Sequence, residues 1–355
     1  MIVLLEPVCS SWIHEEANAG FLQLVCKHYS GQVTFIAEKE HIHCIRNIYM
    51  NDDINYVKIK NPVKKDDSDD YIHIYYYLQL LKAVVLKYRP EKLFILCAYR
   101  PCMLAAELIA LRFFKMEINI ILHGMIEKSK GHFDSYRRIF YLSTFCKKLR
   151  FITYSPYCSG GQWNIGKDKF VFIDQCYTDQ SIKYIRKKKK KKVIIGIVGA
   201  CANEKAKKII TFVNQHPLNM PYEFWVASKY GVKFRHIDHV KVVDLEFDRK
   251  KKEEMLQQFD YLLIPYDQQE YALSASGVLW DAISSRVPCF MLGSYYFKYY
   301  MKYKVGYQAD NIKDLCKMIF EKIQRPEDED PTLFVNLDSI QQRREETIKL
   351  LLRSR

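Results

Sequence analysis

Several features are missing from this chain, and each absence removes a class of function. No two of its eleven cysteines form a C-x-x-C pair. Zinc modules and disulfide frameworks need closer or more regular spacing, so the thiols read as buried or surface groups of a reducing, cytoplasmic compartment. No apolar run reaches the length of a membrane span; the nearest, Leu93 to Phe114, is interrupted by Arg100, Pro101 and Glu107. The opening "MIVLLEPV" has no basic segment and breaks at Glu6-Pro7, which fits a first strand rather than a signal peptide. There is no G-x-x-x-x-G-K-[ST], which excludes a P-loop nucleotidase. "GIVGACA" from Gly196 lacks the third glycine of a dinucleotide fingerprint and has the wrong first spacing. A nicotinamide-dependent oxidoreductase is thus the weaker alternative. No nucleic-acid module and no internal repeat is recognisable.

What is present suits a two-domain globular protein. The chain has 355 residues, 49% of them hydrophobic and 27% charged. Its net charge of +14 favours anionic partners such as nucleotides or an acidic membrane surface, although a lysine-rich solvated surface gives the same number.

Strand-like and helix-like segments alternate along both halves. "MIVLLE", "QVTFIAE", "EKLFILCA", "EINIILHG", "FITYSPY" and "KFVFIDQ" are short apolar runs. Between them, "NAGFLQLVCKHY", "YIHIYYYLQLLKAVVLKY" and "CMLAAELIALRFF" have helical spacing. Seven consecutive basic residues, Arg186 to Lys192, then repel one another and mark a surface linker or an anchor to anionic lipid. A second alternation starts at "VIIGIVG" and ends with an amphipathic helix, "SIQQRREETIKLLLRS". These patterns predict an α/β protein with two doubly wound parallel sheets. The expected divisions are residues 1–182, a basic linker at 183–192, a second domain at 193–330, and a C-terminal helical segment at 331–355 that could pack back on the first domain.

In an open α/β sheet, ligands bind beyond the carboxyl ends of the strands. The stretch "PYDQQEYALSASGVLWDAISSRVP" places a polar loop, a helix start and one carboxylate at such a place. The N–H groups and positive dipole end at Ser276-Gly277 suit a phosphate. Asp281 lies one turn further on the same face and could accept bonds from two vicinal hydroxyls, while Val278, Leu279, Ala282 and Ile283 fall on the core side. Tyr266, Asp267, Glu270 and Tyr271 line the loop before the helix. Phosphate on a helix end with a carboxylate for a ribose diol describes a nucleotide site.

The same residues resemble the donor domain of GT-B glycosyltransferases of the bacterial retaining family 4 type, which build surface polysaccharides. The family pattern D-x-x-L-x-P-Y, a polar loop with Tyr, S-G and E-A-x-x-x-G-x-P appears here at Asp260, Leu263, Pro265, Tyr266, Tyr271, Ser276, Gly277, Asp281, Ala282 and Pro288. "IGIVGACANEK" is similar to the family's first donor-domain strand and loop, with Gly196, Gly199 and Lys205. "YKVGYQADNIKDL" resembles a later family segment. "ILHGMIE" is similar to the strand whose histidine, here His123, faces the donor sugar. "EPVCSSWIHEEANAGFL" resembles the acceptor-side loop and helix, with His14, Glu15 and Asn18. The chain departs from the pattern at Leu273 and Asp281, where the family carries two glutamates, and at Arg286, where it carries glycine. Asp267 or Glu270 could take over the contact to the sugar.

The resemblance implies a GT-B fold and transfer of a sugar from a UDP- or GDP-linked donor to a saccharide or lipid-linked saccharide hydroxyl. Retention of configuration and no metal or other cofactor are implied with it. Lys205 and the amides at Ser276 and Gly277 would stabilise the leaving diphosphate. His123 and Lys205 are the catalytic candidates, and Gly199, Pro265, Tyr266 and Tyr271 are further nucleotide contacts. A non-catalytic subunit of the same fold is the alternative that Leu273 and Asp281 favour. His41 and His43 read as sharing one strand face, without a third ligand at zinc spacing.

Overall fold

Short apolar runs build two parallel sheets. The computed structural model describes every residue except 12, 60–70, 114, 123–132, 159–165, 179–191, 217, 245–248, 268, 269, 272, 324–331, 354 and 355. The chain divides into two units. The first is Met1–Asp179 with Leu273–Ala275 and Ser339–Arg355; the second is Gln180–Ala272 with Ser276–Asp338.

The first unit runs β1 (Ile2–Leu5), α1 (Glu15–His28), β2 (Val33–Glu38), α2 (Lys39–Ile48), β3 (Ile54–Ile59), α3 (Tyr71–Tyr88), β4 (Lys92–Ile95), α4 (Arg100–Arg112), β5 (Glu117–Leu122), α5 (Phe133–Ser143), β6 (Leu149–Thr153) and β7 (Phe170–Phe172). Its seven strands lie in the order β3-β2-β1-β4-β5-β6-β7, all neighbours parallel. Helices cover both faces, so β1, β4 and β5 are buried along their whole length and read as unbroken apolar runs. α1 packs on α2, and α4 packs between α3 and α5. Right-handed crossovers put the first pair on one face and the other three on the opposite face, because the strand order reverses at β1/β4.

The second unit repeats this plan with β8 (Val193–Val198), α6 (Glu204–Gln215), β9 (Tyr222–Ala227), β10 (Val240–Val243), α7 (Arg249–Leu256), β11 (Tyr261–Ile264), α8 (Gly277–Ser285), β12 (Cys289–Leu292), α9 (Tyr295–Tyr300), β13 (Gly306–Ala309) and α10 (Ile312–Lys322). Its order is β10-β9-β8-β11-β12-β13, again parallel, with the reversal at β8/β11. Gly306 starts β13 at φ +150°, and a Cβ there would stand 2.2 Å from the Cys289 carbonyl oxygen. Only glycine fits both the backbone angle and the strand spacing.

The last helix, α11 (Asp338–Leu352), packs in the first unit from Ser339 onward. Arg343 donates to Asp174 Oδ2 at 2.7 Å, Arg344 to the Gln175 carbonyl, and Lys27 of α1 to Glu345 at 2.6 Å. Ile348 and Leu351 join Phe21, Leu22 and Val25 of α1 in the core.

Several elements differ from the sequence reading. His41 and His43 lie on α2, not on a strand, so they point apart: His41 inward and fully buried, His43 outward. β3, α5, α9 and β13 were not expected. β3, at a sheet edge, has one buried position and otherwise exposed or half-buried ones, and α9 is only six residues long; short or mixed patterns of this kind carry little period. Val278 is half-buried rather than core. The basic run lies outside the described residues except Lys192, which pairs with Glu223 at 2.7 Å. None of the eleven cysteines is in a disulfide. Among the described residues, no helix is long and apolar enough to cross a membrane.

Candidate functional site

In the second unit the loops that follow β8 and β11 flank the strand-order reversal. The first contains Gly199 at φ +59° in a short 3-10 turn, with open space where a Cβ would stand. The backbone angle alone therefore calls for glycine. Asn203 then caps α6 by accepting from the Lys205 and Ala206 N–H groups, both at 3.0 Å. That cap fixes Lys205 in the first helical turn. Its Nζ donates to Asp267 Oδ2 at 2.6 Å and to Glu270 Oε2 at 2.7 Å, both in the loop after β11. Burial works against the lysine's charge, and the two carboxylate bonds outweigh it, so its pKa is raised.

A second tie joins the same loops. The Cys201 thiol and the Tyr266 hydroxyl are hydrogen-bonded, and burial pushes both groups' pKa values up, the thiol to about 12. The Tyr266 ring packs against Tyr271 with centroids 4.4 Å apart, and Tyr271 stacks on Phe297 of α9 at 6.1 Å. Tyr266 and Pro265 are buried; Tyr271 keeps a partly open face.

The Ser276 side chain accepts from the Leu279 N–H at 3.3 Å and so starts α8 as its N-cap. Gly277 is exposed and has open space around it. The exposed Gly277 thus stands at the positive end of α8. Asp281 differs from expectation. It is only 8% exposed, and its Oδ1 accepts from Lys252 Nζ of α7 at 2.7 Å, so the carboxylate offered for a ribose diol ties two helices together. At the other end of α8, Arg286 is the C-cap with φ 49°, the left-handed position where glycine is favoured. Leu273, in place of an acid, is buried.

The corresponding reversal in the first unit has different chemistry. Glu6 follows β1 and is fully buried. It accepts from the Val8 and Cys9 N–H groups at 2.9 and 2.8 Å and from Asn18 Nδ2 at 3.0 Å. Asn18 Nδ2 also lies 3.0 Å from His41 Nε2, while His41 Nδ1 lies 2.7 Å from the Ser11 carbonyl oxygen. With Nδ1 donating to that carbonyl, Nε2 accepts from Asn18. Burial raises the Glu6 pKa, against the opposing pull of His41 and of its three N–H donors. Asn18, expected on the acceptor side, is thus turned into the interior. His14 is exposed at φ 57° before α1, and Glu15 is bonded to the Cys44 thiol. His123 lies outside the described residues. Glu6, Cys9 and Cys97 form the one group among the described residues whose donor atoms could share a metal, and its carboxylate already has three N–H partners.

Sequence reasoning brought Lys205, Asp267, Glu270, Tyr266 and Tyr271 to one place but gave Lys205 to a phosphate. It missed Lys252, Cys201 and the Glu6–Asn18–His41 network. Pairs separated by 29 or 65 positions leave no local signal.

No protein-family model matches the sequence, and no curated protein does either. Solved structures do match over nearly all of the chain. HepE of Anabaena, solved with UDP and glucose, is 11% identical, with a TM-score of 0.67 over 99% of this chain and 97% of that one. The lipopolysaccharide outer core galactosyltransferase WaaB is 13% identical, at 0.56 over 90% of each chain. The chain has the GT-B fold. A Listeria monocytogenes protein assigned as a UDP-N-acetylglucosamine 2-epimerase has a TM-score of 0.54 at 9% identity, over all of this chain and 91% of that one, so a GT-B frame also serves chemistry other than transfer. At these identities the likeness concerns the fold alone.

Proposed function

We propose that this GT-B protein is a glycosyltransferase that takes a sugar from a UDP- or GDP-linked donor, with the donor site in the second unit. The observation that carries the reading is the pair of loops at the β8/β11 reversal, joined by Lys205 to Asp267 and Glu270, with the exposed Gly277 at the start of the α8 that follows. The amides of the Ser276-Gly277 turn hold the diphosphate and stabilise its charge as the glycosidic bond breaks. Gly199 lets the first loop approach the ligand. The half-open face of Tyr271, backed by Tyr266, packs against the nucleoside. Asp267 and Glu270 accept bonds from donor-sugar hydroxyls.

Lys205 then has a different role from a phosphate ligand. Its charge is already committed to two carboxylates, and it keeps both aimed. The acceptor is a saccharide or lipid-linked saccharide, and transfer proceeds with retention and without a metal, as the family resemblance of residues 260–288 implies.

The test is a thermal-shift panel with UDP, GDP, ADP, CMP and NAD, followed by product analysis with the matching nucleotide sugar. A ligand at 100 times its Kd adds about 2.7 kcal/mol to the folded state. Stabilisation by one nucleoside diphosphate, with release of that diphosphate when an acceptor is supplied, is the expected result. An epimerised nucleotide sugar without acceptor would assign the Listeria protein's chemistry instead. Binding without any turnover would assign a non-catalytic subunit, and stabilisation by NAD alone would overturn the reading.

A further inference from the structure

The outer layer of the first unit carries a surface that the nucleotide site does not explain. On α5 and the turn after it, Tyr141, Leu142 and Phe145 are 60%, 46% and 64% exposed. The rings of Tyr141 and Phe145, one helical turn apart, meet edge to face at 5.8 Å. Leu108 and Leu111 of the adjoining α4 are likewise exposed. Two contacts make these one surface: Cys146 Sγ donates to the Glu107 carbonyl at 3.7 Å, and Lys148 Nζ donates to the Lys115 carbonyl at 3.1 Å. The ends of α4 and α5 are therefore side by side.

Among the described side chains of α4, α5 and the turns that follow them, the exposed charges are basic. Arg137 and Arg138 precede the apolar centre by one turn, Lys147 and Lys148 follow it, and Arg112 and Lys115 close the α4 side; all six are exposed. Between residues 100 and 150 the acids whose side chains are described, Glu107 and Glu117, are buried, and Asp134 stands on α5 one turn before Arg137 and Arg138. Contiguous exposed apolar side chains in a folded chain mark a contact surface. The composition selects the partner. Protein interfaces are poor in lysine, whereas an anionic bilayer takes apolar and aromatic side chains at its headgroup boundary and basic side chains against its charge.

We infer that the α4–α5 face of the first unit docks on an anionic lipid bilayer, with Tyr141, Leu142 and Phe145 entering the headgroup region and the surrounding lysines and arginines facing lipid phosphates. The protein lies on the membrane in this arrangement. Both helices lead into the amino-terminal ends of strands, so the carboxyl edges of the sheet, where ligands bind, are at the other end of the same layer. The inference does not depend on glycosyl transfer, because its readout is binding.

The full chain is tested by co-flotation with vesicles of phosphatidylglycerol and phosphatidylcholine, and with phosphatidylcholine alone. Binding to the mixed vesicles, weakened by salt and absent on phosphatidylcholine, is expected. Tyr141→Ser with Phe145→Ser, and separately Lys147→Glu with Lys148→Glu, each weaken it by about tenfold or more. These side chains are exposed, so the melting temperature stays at the parent value and serves as the folding control. A further variant replaces Lys187 to Lys191 by serine. If that change abolishes binding while both α5 variants bind like the parent, the basic run is the anchor and the inference is overturned. Absence of binding by the parent chain, or equal binding to phosphatidylcholine, overturns it too.

Discussion

The two units have the same plan and opposite chemistry where their strand orders reverse. At β1/β4 the first polar residue, Glu6, is fully buried and satisfied by Val8, Cys9 and Asn18, with His41 behind. At β8/β11 the polar groups are Lys205, Asp267 and Glu270, with side chains 29%, 37% and 37% exposed, and Gly277 at the start of α8 is exposed too. One reversal is filled by buried, mutually bonded side chains, and the other carries partly exposed charged groups. Topology alone thus names two places where a ligand can bind, and side-chain chemistry chooses between them.

The largest expected effect breaks the filled side. Glu6→Ala leaves two backbone N–H groups and the Asn18 amide without their acceptor in a buried place. Each orphaned donor costs about 1–3 kcal/mol, and the change should lower unfolding free energy by about 3 kcal/mol or more in urea titrations. Nucleotide affinity should hold under conditions where the variant is folded.

Next is the contrast in how the units treat a carboxyl group. Glu107 in the first unit is buried, its oxygens have no hydrogen-bond partner among the described residues, and burial pushes its pKa to about 9. A carboxyl whose pKa is raised on folding binds its proton more tightly in the native state. Its contribution is fully present below the ordinary value of 4.5 and is lost as pH rises toward about 9. Glu107→Gln should therefore stabilise the protein by on the order of 2–3 kcal/mol at pH 8 and flatten the decline between those limits, since a tenfold change in proton affinity is worth about 1.4 kcal/mol. Unfolding curves at pH 5 and pH 8 check the sign.

On the open side, Lys205→Ala removes the tie between two partly exposed acids, so its cost in stability should stay below about 1 kcal/mol. Nucleotide-sugar affinity should fall by about tenfold, the value of one lost hydrogen bond, while the nucleoside diphosphate alone binds nearly as before. Calorimetric titration with both ligands separates this positioning role from a phosphate contact, which would weaken both equally. The smallest effect is a gain. Arg286→Gly relieves a left-handed cap and should add up to about 1 kcal/mol, read as a higher melting temperature, because a non-glycine residue there is strained by roughly 1–2 kcal/mol.

The fold was legible because its signals are local. Continuous apolar runs such as "VIIGIV" and "YLLI" can only be strands covered on both faces, and their alternation with helices fixes a parallel sheet. The start of α8 was readable from Ser276-Gly277; Arg286 was noted only as a departure from the resembling family's glycine, and its left-handed φ appeared with the structure. Partnership was not readable. Asp281 offers the same carboxylate to a ribose or to Lys252, and Asn18 looks like a surface amide until Glu6 and His41 fold around it. Chemistry that depends on residues far apart in sequence appears only once the sheets are assembled.

The most direct test of the contrast between the two reversals is amide hydrogen exchange with and without a saturating nucleoside diphosphate. Slower exchange across residues 199–206 and 276–279, with residues 6–18 unchanged, is the predicted result. Protection at residues 6–18 with none at the β8 loop or the start of α8 would place the nucleotide at the other reversal and contradict the account.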